Sequence, residues 1–192
     1  MTESPGVSMP TASVRRRIAA HLIDALLVGL ASFVVAALAS AVIGPAVSVA
    51  TDTDGSARIT LDSARLLIQA GAATALSGAY FVGTWIGPWA ATAGQRALGV
   101  SVVRSATPGD RLGVGRALLR WILLGAPFGL VAALVVDSAV AWSVVVLVAA
   151  AWTATLLASA LRDGERRGLH DRLVGSRVVR SGPPPRGVES GQ

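Results

Sequence analysis

Val14-Arg15-Arg16-Arg17-Ile18-Ala19-Ala20-His21-Leu22-Ile23-Asp24-Ala25-Leu26 opens a run that stays apolar as far as Ile43. About 20 helical residues cross the hydrocarbon of a bilayer, so this run predicts a membrane span over Ile18 to Ile43. A helix turns about 100° per residue, which brings Arg17, His21 and Asp24 onto one line. Asp24 is the only carboxylate inside a long apolar run. Six residues past Ile18 it would lie about 9 Å deep. A carboxylate there has to pair, protonate or line a cavity. Arg17 sits about 10 Å away along the axis, so the expected partner is Arg116, Arg120 or an arginine of the C-terminal segment. Arg17 itself is expected to snorkel toward lipid phosphate or to hold a buried acid.

Three further spans follow by the same reasoning, at about Leu66 to Trp89, Leu118 to Val136 and Val140 to Leu161. Asp137-Ser138 splits the last two into a hairpin, and Pro127 is expected to kink the third. The fold class expected is therefore an all-α membrane protein, a four-helix transmembrane bundle with short cytoplasmic extended segments. Its domain is 18–180, between disordered tails at 1–17 and 181–192. A cleaved signal peptide is the rival reading of the first span, with Ala37-Leu38-Ala39 as a cleavage pattern, but the run is long and carries His21 and Asp24.

Composition agrees with this frame. The chain has 192 residues, 53% of them apolar, and a mean hydropathy of +0.61, too apolar for an ordinary soluble domain. The net charge is +6, and all 17 basic residues are arginine. They cluster beside the apolar runs, which points to lipid and away from nucleic acid. Three precede the first span, five lie between the second and third, and seven follow the fourth; only Arg58 and Arg65 occupy the loop after the first. The positive-inside rule then places both termini in the cytoplasm. There are no cysteines, so thiolate chemistry and Cys-held metals are excluded. His21 and His170 are the only histidines, too few for a metal site of the His-Asp kind. No cofactor is expected. With no phosphate-cradling loop and no nucleophile motif, no enzyme is expected either.

Two other segments carry motifs. Thr92-Ala93-Gly94-Gln95-Arg96-Ala97-Leu98-Gly99-Val100-Ser101-Val102-Val103-Arg104 follows the second span. Gly168-Leu169-His170-Asp171-Arg172-Leu173-Val174-Gly175-Ser176-Arg177-Val178-Val179-Arg180 follows the fourth. Both contain Gly-x-x-Val-Val-Arg, and such β-branched runs favour extended chain, so the two are expected to pair as strands beneath the bundle. Gly83…Gly87 and Gly125…Gly129 have the spacing of close helix packing. Trp89, Trp121 and Trp142 fall near span ends and read as interfacial anchors.

Taken together, the segments resemble the RDD family of small bacterial membrane proteins, named for one arginine and two aspartates. Arg17, Ala20 and Asp24 look like its opening pattern. Thr92, Gly94, Arg96, Leu98, Gly99 and Val103 look like its loop pattern, and His170-Asp171-Arg172-Leu173 with Gly175, Val178 and Val179 look like its closing pattern. By that resemblance Arg17, Asp24 and Asp171 are the name-giving residues, with His170 beside the last. Ser176 stands where the family often has threonine, and it keeps the hydroxyl. The resemblance implies a multi-pass protein of the bacterial inner membrane, with transport the usual suggestion. Arg17, His21, Asp24, His170 and Asp171 are then the candidate polar core, for ion coupling or for architecture. Thr92, Gly94, Arg96 and Gly99 form its loop motif. One buried acid makes a sparse pathway, so a carrier would need a homo-oligomer around it. The alternative is a membrane scaffold whose arginine-rich face holds anionic lipid headgroups or an acidic partner.

Overall fold

The computed structural model describes residues 10–107 and 110–181. The first helix, α1 (Val14–Ile43), starts four residues before the expected Ile18, because the Ser13 hydroxyl accepts from the Arg16 amide at its first turn. Pro10 to Arg17, assigned above to a tail, therefore belong to the folded body. Residues 1–9 and 182–192 lie outside the described residues. Gly44, at φ 87°, ends α1 in a backbone region open chiefly to glycine. Strands β1 (Val47–Thr51) and β2 (Ala57–Leu61) then pair antiparallel as a hairpin, an element the sequence reading passed over. Helix α2 (Ser63–Ile86) returns, capped by the Asp62 carboxylate on the Arg65 amide.

Next come a five-residue helix, α3 (Ala93–Ala97), and strand β3 (Val100–Arg104). The expected third span is broken. Helix α4 (Val114–Leu123) and helix α5 (Phe128–Leu134) meet at 57° across a turn in which Gly125 takes φ 95°. The kink expected at Pro127 is thus a full interruption. The hairpin at Asp137-Ser138 leads into α6 (Ala139–Arg162), where the Ser138 hydroxyl caps the Ala141 amide. Helix α7 (Leu169–Val174) and strand β4 (Ser176–Arg180) close the chain.

The structure is thus mostly helical, with two small strand pairs. Among the described residues α1, α2 and α6 are long and apolar enough to cross a membrane, and the bent α4–α5 pair makes a fourth candidate. The two Gly-x-x-Val-Val-Arg runs do pair, antiparallel, with Val102 opposite Val178 and Val100 opposite Arg180. Thr11 adds a bridge to Val179 on the outer side of β4.

Packing is tightest at the arginine-rich end. There Ala20 of α1, Phe81 and Trp85 of α2, Val100 and Val102 of β3, Ala117 of α4 and Val178 of β4 form one apolar cluster. Farther along, Leu26, Leu30, Phe33 and Leu38 of α1 and Val144, Leu147 and Val148 of α6 are exposed, as lipid-facing side chains are when the solvent is itself apolar. Small residues contribute differently from the expectation. Gly83 and Gly129 have nothing within 4 Å of a built Cβ, and Gly87 and Gly125 end or break helices. The close approaches fall instead at Gly78, on the Trp121 ring, and at Gly94, on the backbone of α1. Trp121 is likewise no interfacial anchor: it packs on α2 and donates to Ser77 Oγ at 3.1 Å. Trp89 and Trp142 are exposed near helix ends.

Candidate functional site

The line Arg17–His21–Asp24 on α1 feeds two separate polar networks. The first centres on Asp24, which is 1% exposed. Its partner is not an arginine, and the expectation of Arg116, Arg120 or a C-terminal arginine is corrected. Tyr80 Oη donates to Oδ1 at 2.6 Å, the Gly94 amide to Oδ1 at 2.8 Å, and Thr92 Oγ1 to Oδ2 at 2.5 Å. Three neutral donors therefore hold a carboxylate, a way of satisfying buried charge that a search for opposite charges overlooks.

Local structure explains why these donors converge. Thr92 and Gln95 form a capping box: Thr92 Oγ1 accepts from the Gln95 amide at 3.2 Å, and the Thr92 amide donates to Gln95 Oε1 at 3.0 Å. The same Oε1 accepts from Trp85 Nε1 at 3.2 Å, fixing the short helix to α2. Thr92-x-x-Gln95 was a legible signal for this box. Gly94 allows the approach, because a Cβ there would stand 3.0 Å from Asp24 Cγ and overlap the Ala20 carbonyl oxygen. Arg96 points elsewhere, its guanidinium 4.2 Å over the Trp89 ring. Gly99, at φ 60°, turns the chain into β3.

The second network centres on Asp171, also 1% exposed. Arg17 Nη1 donates to its Oδ2 at 3.3 Å, so Arg17 pairs instead of snorkelling. Arg17 also donates to the carbonyls of Ala12 at 3.2 Å and Val178 at 3.1 Å, tying the start of α1 to β4. Arg120 of α4, 3% exposed, bonds to Asp171 Oδ1 and to Ser176 Oγ, and lies 5.0 Å over the Trp85 ring. Ser176 Oγ in turn donates to Asp171 Oδ1 at 2.9 Å. The hydroxyl shared by serine and threonine is the part this position uses.

Burial is the largest influence on Asp171 and opposes its ionisation, but its neighbours together, Arg120 foremost, outweigh that and hold the carboxyl below its ordinary range. Burial pushes the His170 imidazole down to about 4, against the pull of Asp171 3.6 Å away. His170 is therefore neutral near pH 7.

A cavity of about 350 Å³ joins the two networks. Arg17, His21 and Asp24 reach it from α1, Trp85 from α2, Arg120 from α4, and His170 and Asp171 from α7; Thr153, Leu156 and Leu157 of α6 form the facing wall. Helix α1 packs chiefly on α2 and α3, and α6 on α5 and α7, so the cavity occupies the gap between α1 and α6. All five residues of the candidate polar core thus line one chamber. Gln95 and Arg120 line it as well, while Tyr80 and Ser176 complete the two networks by bonding Asp24 and Asp171; none of these four was in the sequence-derived polar core. Among the described residues, no group of three His, Asp or Glu side chains could hold a metal ion.

Apolar helices long enough to cross a bilayer, with a charged cluster packed at one end, define a small multi-helix membrane protein. The family model of the RDD family matches residues 11–175, most of the chain. The chain belongs to the RDD family. Searches of the curated proteins and of the solved structures returned no match.

Proposed function

We propose that the chain is a four-span carrier of a bacterial inner membrane, with α4 and α5 as one bent span and both termini in the cytoplasm. In this reading Asp24 binds and releases a proton or a small cation, and the chamber behind it opens to the cytoplasmic side. The observation that carries the reading is the state of Asp24: buried, held by hydroxyl and amide donors, bonded to no arginine among the described residues, and facing a cavity. Asp171, by contrast, is closed in by the guanidinium groups of Arg17 and Arg120, which fix its negative charge. Hydroxyl donors leave the charge of Asp24 free to change, because Tyr80 and Thr92 can each rotate a hydrogen and accept in return. No catalytic step is assigned to the chamber. The fifteen arginines on one side orient the bundle.

The Asp171 network favours a second reading, a non-transporting scaffold. Two cations closed around one acid build architecture, and exposed arginines such as Arg15 and Arg172 remain for anionic headgroups at about 1 kcal/mol each. Purified protein in vesicles, screened for proton, sodium and potassium flux, separates the two. Flux carried by the wild-type protein and lost with Asp24→Asn supports the carrier. Absence of any flux, with binding that depends on anionic lipid, supports the scaffold.

A further inference from the structure

The β1–β2 hairpin is two-faced. Cross-strand partners Val47 and Leu61, then Val49 and Ile59, put four large aliphatic side chains on one side. The alternate pairs, Ser48 with Thr60 and Ala50 with Arg58, put small and polar side chains on the other. The aliphatic side is bare: Val47 is 51%, Val49 68%, Ile59 67% and Leu61 43% exposed.

We propose that this face lies on the bilayer surface at the end opposite the arginine-rich one, seated among the lipid headgroups and first acyl carbons. Three features of the hairpin choose lipid as its occupant. Its base is sewn to the ends of two apolar helices, with Gly44 closing α1 just before β1, Asp62 capping α2 just after β2, and the Asp62 amide bonded to the Ala46 carbonyl at 2.8 Å. From Ile18 to its end at Ile43 helix α1 runs about 39 Å, enough to cross the hydrocarbon and reach into the headgroup layers, so the hairpin starts among the headgroups. The charges sit where a surface-lying ribbon needs them, with Asp52 and Asp54 at the tip and Arg58 on the polar side, 3.4 Å from Asp52. Such a division of polar and apolar faces is the signature of an element lying in the interface. The proposal is independent of whether the protein transports anything.

The chain lacks cysteine, so nitroxide labels can be placed one at a time. Val49→Cys and Ile59→Cys report the aliphatic face, and Ser48→Cys and Thr60→Cys the polar face; all four positions are exposed. In the full-length protein in phospholipid vesicles, collision with oxygen is compared with collision with a water-soluble nickel chelate. The expected result is an oxygen-to-nickel ratio several-fold higher at 49 and 59 than at 48 and 60. Equal ratios at all four positions would overturn the proposal by placing both faces in water. Low collision with both reagents at 49 and 59 would also overturn it, by placing a protein surface there.

Discussion

Replacing Asp171 with asparagine tests how far the network centred on Asp171 is a structural ion pair. The side chain keeps its shape and loses its charge, and its two arginines are left in unequal positions. Arg17 still has the carbonyls of Ala12 and Val178. Arg120, 3% exposed, keeps only Ser176 Oγ and the face of Trp85. Breaking a buried pair by removing one member costs about 3–5 kcal/mol, because the remaining charge is stranded. At about 2–4 °C per kcal/mol for a domain of this size, Asp171→Asn should melt about 6–20 °C below wild type. Arg120→Met should fall in the same range, since it strands Asp171 with Arg17 alone. The double variant removes both halves and lets methionine pack on Trp85, so it should recover about 1–3 kcal/mol relative to the sum of the singles. Thermal unfolding of the four proteins in one detergent measures the cycle. Singles melting within about 2 °C of wild type, or a double variant losing the full sum, would refute the reasoning.

Other substitutions probe the Asp24 network and its surroundings. Gly94→Ala should destabilise by about 1–3 kcal/mol, because its Cβ meets α1 backbone that cannot move aside; Gly83→Ala, with open space around it, should be neutral in the same melting assay. Tyr80→Phe removes one donor from a charged acceptor and should cost about 1.5–3 kcal/mol, read from the shift in unfolding midpoint. His170 gives a pH dependence. An unfolded histidine takes its proton near 6.5, whereas folded His170 waits until about 4, so the unfolded chain binds more protons between these values. Stability should therefore fall as pH drops through that window, and His170→Asn should flatten the profile. Asp171, held low in the fold, adds its own loss at still lower pH.

What the sequence disclosed follows from which forces act locally. Lipid solvation writes itself as long apolar runs, so α1, α2 and α6 were legible within a few residues. Strand pairing between Val100–Arg104 and Ser176–Arg180 was legible because each run repeats the same β-branched pattern. Asp24 misled because charge was matched to charge, whereas the fold offers hydroxyls and an amide on a capped turn. The Thr92-x-x-Gln95 box would have pointed there. The outer hairpin was also within reach, as Val47-x-Val49 and Ile59-x-Leu61 alternate around an Asp54-Gly55 turn. The break after Leu123 was not, since Pro127 alone does not say whether a span bends or stops.

Flux and folding measured side by side for Asp24→Asn give the most direct test of the central claim, that Asp24 is a working charge and Asp171 a structural one. Asparagine can keep the Tyr80 and Gly94 bonds through its oxygen and donate to Thr92 through its amide. The account predicts a variant that melts within a few degrees of wild type in vesicles and moves no proton or cation. A variant that transports as well as wild type, or that loses as much stability as Asp171→Asn is expected to lose, would contradict it.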